Sequence, residues 1–230
     1  MGTPLAVIAA RPDWRTLSEH AGLDERQLRA RCIRRRYDRG EVIFHEGDPA
    51  GALHLLDKGR VAVRLTTPMG DVGLLDVLQV GDTFGEQALV DGVGERTATV
   101  AAIDKVETLA LDRAGFEQLR THNHGVDRFL LMVLAARLRH TSLHLLDALY
   151  LPAEVRVVRC VVQMHEMFCD AAHKTIPLTQ AEIASMAGVT RSTANRVLKH
   201  AEVDGLLRVA RAHIEVSELV GLRRQARLAR

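Results

Sequence analysis

The chain has 230 residues, 47% hydrophobic and 26% charged, with a formal net charge of +2. This is the composition of a folded globular protein with room for one large or two ordinary domains. No uninterrupted apolar run approaches the ~18 residues of a bilayer span. Three widely spaced cysteines, Cys32, Cys160 and Cys169, argue against a disulfide framework and a four-cysteine cluster.

The opening "MGTPLAVIAARPDW" has no basic segment ahead of its apolar patch, so it does not read as a signal peptide. A cytoplasmic protein with no membrane partner is expected. Residues 13–34 space Leu17, Leu23 and Leu28 among charges, which predicts a helix. From about 33 to 112 the texture changes to short runs rich in Val, Ile, Leu and Thr, broken by glycine turns. That spacing predicts an antiparallel sandwich or barrel. "TPMGD" predicts a hairpin turn, with Pro68 and Gly70 each in a suitable role.

Within this region "FGEQALVDGVGERTATV", residues 84–100, places Glu86 and Arg96 on either side of a loop with two glycines. One reading is a tight hairpin with a surface ion pair. The other is a ligand with hydroxyl donors at one end and an anion at the other. An ionised carboxylate accepts from a hydroxyl and repels a phosphate. A guanidinium gives an anion paired, charge-assisted hydrogen bonds.

"RAGFEQLRTH" predicts a short helix, and a long one follows from Asn123 to Tyr150. Leu131, Leu134, Leu138, Thr141, Leu145 and Ala148 form a heptad seam. A helix of this length measures about 42 Å. The seam can pack on its own domain or form a two-stranded coiled coil between identical subunits. Phe129, Met132, Val133 and Ala136 lie off the seam and are free to pack on the β domain. His140 and His144 share a helix face able to hold a metal, but no third ligand of fixed spacing accompanies them.

Pro152 ends the long helix and marks a hinge. Residues 153–169 predict an amphipathic helix, and "AAHKTIP" a polar loop. From 152 onward there are 12 basic and 8 acidic residues, a net charge of +4 compatible with nucleic acid. "LTQAEIASMAGVTRSTANRVLKHAEVDGLL" then combines a capping box at Thr179 and Glu182, a small Ala184, a turn at Gly188 and a second helix capped by Thr190. That is the steric pattern of a helix–turn–helix. "LLRVARAHIEV" predicts two short strands forming a wing around Arg211–Ala212. The exposed face of the second helix carries Arg191, Ser192, Asn195, Arg196 and Lys199, residue types that read bases and phosphates. The chain has no nucleophile elbow, HExxH or Walker loop, so no enzyme is expected.

Together these segments resemble the CRP/FNR family of bacterial transcription regulators over about residues 15–220. "GEVIFHEGDPAGALHLLDKGRVAV" is similar to the opening of that family's β-roll, and 84–100 to its phosphate-binding cassette. The resemblance implies an α+β fold: an antiparallel, jelly-roll-like β-roll over 13–122, a dimerisation helix and hinge over 123–151, and a winged helix–turn–helix domain over 152–230. It implies a cyclic nucleotide site of Gly85, Glu86, Gln87, Ala88, Arg96, Thr97, Thr141 and Ser142. Gly85 and Glu86 would meet the ribose, Arg96 and Thr97 the cyclic phosphate, and Thr141 and Ser142 the base, one from each subunit. The DNA contacts implied are Thr179, Thr190, Arg191, Ser192, Asn195, Arg196 and Lys199.

The expected effector is cyclic AMP, with cyclic GMP as the alternative. The expected partners are a second copy of the chain, double-stranded DNA with a two-fold-related operator, and RNA polymerase. Two alternatives stand beside this: a ligand-independent DNA binder with a vestigial pocket, and a nucleotide-sensing module acting on a protein. Ser192 departs from the family, standing where a Glu accepts from cytosine N4. The operator read is therefore expected to differ from the usual half-site.

Overall fold

The computed structural model describes residues 11–87, 94–170 and 174–227. The chain divides into two compact units, Met1–Thr66 with Asp76–Ser142, and Thr67–Leu75 with Leu143–Arg230.

The β-rich region opens with α1 (Arg15–His20) and α2 (Glu25–Ala30), where a single helix over 13–34 was expected. Gly22 breaks it, with φ +63, a left-handed conformation natural to glycine at a helix end. Asp24 and Gln27 then start α2 with their own capping box. Among the described residues eight strands follow: β1 (Ile33–Tyr37), β2 (Val42–Phe44), β3 (Ala52–Lys58), β4 (Val61–Thr66), β5 (Val72–Leu78), β6 (Thr83–Phe84), β7 (Thr99–Ala102) and β8 (Val106–Asp112). They form two four-stranded sheets, ordered β1-β8-β3-β6 and β2-β7-β4-β5. The expected turn at 67–71 is present, with Thr67 N donating to Asp71 O (2.7 Å) and Gly70 at φ +89.

Alternation along the strands supplies the core. Leu53 and Leu55 of β3 and Leu109 and Leu111 of β8 pack with Trp14, Leu17 and Leu28. Next come α3 (Arg113–His122) and α4 (Gly125–Tyr150), the second starting two residues later than expected. Phe129 and Val133 of α4 complete that core, and Ala136 of the same helix is also buried. Met132, in contrast, is 41% exposed. At about 100° per residue it lies roughly a quarter turn from the buried stripe. Among the described residues α4 alone is long and apolar enough to cross a membrane by length and composition, and Arg137 and Arg139 sit in its middle.

Pro152 separates α4 from α5 (Ala153–Phe168), followed by β9 (Thr175–Ile176), α6 (Gln180–Met186), α7 (Arg191–Val203), β10 (Leu207–Val209), β11 (Ile214–Val216) and α8 (Leu219–Arg227). The wing strands pair as expected, and β9, inside the segment expected to be a loop, adds a third strand in the order β10-β11-β9. Helix α8 was not anticipated. Ala194, Val197, Leu198 and Ala201 form the buried face of α7, leaving its opposite face open.

Candidate functional site

Strand β6 ends at Phe84, and Gly85 follows with φ +85. A side chain there would be strained and would also run into Arg96 Nη1 and approach the Ala52 carbonyl at 3.1 Å. The glycine thus lets the guanidinium lie against the main chain. Arg96 Nη1 donates to Gly85 O (3.1 Å) and Nη2 to Ala52 O (2.9 Å). The backbone of Arg96 is fixed as well: its N–H donates to Asp48 O (2.9 Å) and its carbonyl accepts from Gly47 N (2.8 Å).

Arg96 is 6% exposed, its Nε has no hydrogen-bond partner, and no carboxylate lies within ion-pair distance among the described residues. Burial pushes its pKa below the ordinary value, against the opposing pull of Glu86 and Asp48. A guanidinium has five N–H groups, and two are used here. The arrangement is a buried cation that lacks an anion.

Glu86 is 0% exposed, which removes the reading of a surface ion pair with Arg96. Its charge partner is Arg137 of α4, with Nη1 at 2.6 Å from Glu86 Oε1. The contact is close enough to neutralise charge, but neither carboxylate oxygen has an aligned hydrogen bond among the described residues. Arg137 Nη2 donates to Thr83 O (2.7 Å), so one side chain ties α4 to the segment that carries Gly85 and Glu86. Sequence reasoning missed Arg137. The available signal was its position one helical turn before Thr141, on the same face.

Thr97 is exposed and donates to Gln87 Oε1 (2.8 Å). Ala88 lies outside the described residues. Thr141 and Ser142 are exposed on α4, and Ser142 Oγ donates to Leu138 O (2.8 Å). The structure brings Gly85 and Arg96 into contact and links Glu86 to the helix that carries Thr141. Behind Arg96, His54 is buried, with its Nδ1 at 3.2 Å from Thr108 Oγ1. Burial foremost, then Arg96 and Arg35, hold its pKa down to about 3.

In the C-terminal region Thr179 forms the expected capping box. It accepts from Glu182 N (3.2 Å), and its hydroxyl lies 3.0 Å from Glu182 Oε2. Thr190 caps α7 by accepting from Thr193 N (3.2 Å), and its hydroxyl also lies 2.9 Å from Ser192 Oγ. Arg191 and Ser192 are exposed at the start of α7, and Arg191 has no hydrogen bond or ion pair among the described residues. Asn195 is half-buried with its Oδ1 unpartnered. Arg196 is paired with Glu154 of α5 (2.8 Å), and Lys199 with Glu202 (2.9 Å). Glu154 was not foreseen, because its partner is distant in sequence. Among the described residues no cluster of three His, Cys, Asp or Glu could hold a metal ion.

Residues 34–123 match the cyclic nucleotide-binding domain, and residues 155–225 the Crp-like helix-turn-helix domain. The chain is 31% identical over 195 residues to the CRP-like cAMP-activated global transcriptional regulator of Mycobacterium tuberculosis, covering 83% of this chain and 87% of that one. It is 32% identical over 185 residues to the cyclic AMP receptor protein of Thermus thermophilus, covering 80% and 84%. The crystal structure of the Thermus thermophilus catabolite activator protein is 31% identical with a TM-score of 0.50, covering 89% and 96%. FixK2 from Bradyrhizobium japonicum has a TM-score of 0.70 at 21% identity, covering 86% and 99%, a likeness of fold.

Proposed function

The chain belongs to the CRP/FNR family of DNA-binding transcription regulators, and from that premise we propose a homodimer whose DNA binding is switched by a cyclic nucleotide, cyclic AMP before cyclic GMP. The observation that carries this reading is Arg96, buried with free N–H groups and no counter-ion among the described residues. A cyclic phosphodiester carries one negative charge and accepts from several donors, which suits those N–H groups and the Thr97 hydroxyl. The buried Glu86 carboxylate has acceptor capacity left for a ribose hydroxyl. Gly85 allows the close approach, with Gln87 and Ala88 continuing the cassette.

Thr141 and Ser142 would meet the base from the two subunits. The heptad seam supports the dimer. Leu131, Leu138 and Leu145 are exposed on the protomer, an apolar face that a second copy of the same helix would cover. Two recognition helices related by the two-fold axis would stand about 34 Å apart and enter successive major grooves. Arg191, Ser192, Asn195, Arg196 and Lys199 would face the bases, with Thr179 and Thr190 at the phosphates. The domains divide at residues 122–123 and at the Leu151–Pro152 hinge. RNA polymerase is the proposed protein partner and the cytoplasm the proposed location.

The ligand shifts the equilibrium only through a higher affinity for the DNA-binding arrangement of the subunits. Calorimetric titration of the purified protein with cyclic AMP and cyclic GMP tests the pocket. Binding by the wild type and none by Arg96→Leu is expected, and absence of heat with either nucleotide overturns the ligand claim. Operator binding that is equally tight with and without nucleotide would make the chain a constitutive regulator.

A further inference from the structure

Arg96 is seated on an aromatic ring. Its Cζ lies 4.1 Å over the centre of the Phe44 ring, at the end of β2. Phe44 is itself braced. Its ring centre is 5.9 Å from that of Phe84 and 5.8 Å from that of His54. His54 and Phe84 stack flat on each other, 4.9 Å apart with an interplanar angle of 5°. These rings come from β2, β3 and β6, and Thr108 of β8 holds the imidazole from behind. The platform thus joins side chains from both sheets.

The chemistry of the seat is specific. A buried guanidinium is usually compensated by a carboxylate, which would occupy two N–H groups and cancel the charge. An aromatic face compensates the cation through its quadrupole and takes none of the N–H groups. Gly85 O and Ala52 O fix two of them. The Nε–H is buried without a hydrogen-bond partner, and among the described residues no carboxylate within ion-pair distance neutralises the charge. A neutral His54 adds no second cation to the platform.

We infer that Phe44 is a positioning residue: its ring stands in place of a counter-ion beneath Arg96 and holds the guanidinium with its free N–H groups turned to the ligand's phosphodiester. This rests on the reading of Arg96 as the anion contact. Phe44 does not touch the ligand; it acts through Arg96.

Two variants and two ligands test it by calorimetry. Phe44→Leu keeps apolar bulk and loses the π-face, and Phe44→Tyr keeps both. The ligands are cyclic AMP and its uncharged methyl phosphotriester. Phe44→Leu should bind cyclic AMP about tenfold more weakly than wild type, the size of a cation–π contact in a desolvated site. Phe44→Tyr should bind like wild type, and the triester should bind wild type and Phe44→Leu alike. Equal affinity of wild type and Phe44→Leu for cyclic AMP overturns the proposal. So does an equal loss of both ligands by Phe44→Leu, which would mark a merely structural role.

A ligand-free measurement separates this proposal from the reading it rests on. The Arg96 Nε–H proton, identified by its loss in Arg96→Lys, should be shifted by the Phe44 ring current in the nitrogen–proton spectrum. It should move towards the ordinary arginine position in Phe44→Leu. If wild type binds no cyclic nucleotide, the functional reading fails and this shift alone decides whether Phe44 seats the cation. An unchanged resonance in Phe44→Leu overturns the proposal.

Discussion

Glu86, fully buried, is ion-paired with Arg137 at 2.6 Å, and the same guanidinium holds the Thr83 carbonyl at 2.7 Å. A carboxylate taken out of water needs such a partner, because removing one member leaves an uncompensated buried charge. Arg137→Ala should therefore destabilise the nucleotide-binding region by about 2–4 kcal/mol, towards the lower end because Arg137 keeps some exposure. Urea unfolding measures it. Adding Glu86→Gln should restore most of the loss, since the stranded charge is then gone. An Arg137→Ala protein as stable as wild type would mean that the pair contributes nothing to stability.

Burial of His54 gives a second prediction, with the sign fixed by linkage. Its folded pKa of about 3 lies below the ordinary 6.5, so between those values the unfolded chain binds a proton that the folded chain does not. Stability from this group is complete above pH 6.5 and is lost as pH falls towards 3, by at most about 1.4 kcal/mol per pH unit. Phe at this position keeps a ring against Phe84 and has no proton to gain. His54→Phe should therefore show a flatter decline in stability from neutral pH to about pH 4 in urea titrations. Parallel curves for the two proteins would remove His54 from the acid response.

Much of the fold was legible because its signals are local. The capping box of Thr179 and Glu182, the Thr190 cap and the apolar face of α7 are all written within a few residues. Gly70 marked its hairpin in the same way. What was missed depends on contacts distant in sequence or on segments too short for a period. Arg137 gains its meaning only when α4 packs beside β6, and Glu154 only when α5 lies beside α7. Strand β9 has two residues, Thr175 and Ile176, and shows no alternation. Glu86 and Arg96 looked like partners because they are close in sequence, yet each is buried against different neighbours. The platform under Arg96 was illegible for the same reason, since Phe44, His54 and Phe84 come from three separate strands.

The exposed seam of α4 leads to a third prediction. Leu138 is 69% exposed on the protomer, and Leu145 is exposed two turns further on. A charge at the centre of a helix pair would be desolvated on both helices at once. If the proposed homodimer forms through this seam, wild type should sediment as a dimer and Leu138→Glu as a monomer in sedimentation equilibrium, with secondary structure intact by circular dichroism. A dimer mass for Leu138→Glu would place the subunit contact elsewhere.

The recognition helix separates its two arginines. Arg196 is engaged by Glu154, an exposed pair of the kind worth little in water, so exchanging it for a DNA contact costs little. Arg191 has no partner among the described residues and stands exposed beside Ser192 at the start of α7, the position proposed above for base contacts. Serine is shorter than glutamate and carries no charge, so in the proposed complex Ser192 would not compete with DNA for Arg191. Arg191→Ala should cost about 1–3 kcal/mol on the preferred operator and relax the base preference at one position of each half-site. Arg196→Ala should weaken binding with a smaller change in preference, because part of its effect is the release of Glu154. Selection from a random-sequence DNA pool, repeated for each variant, measures both. Equal weakening of Arg191→Ala on all sequences, with a shallower salt dependence, would instead make Arg191 a phosphate contact.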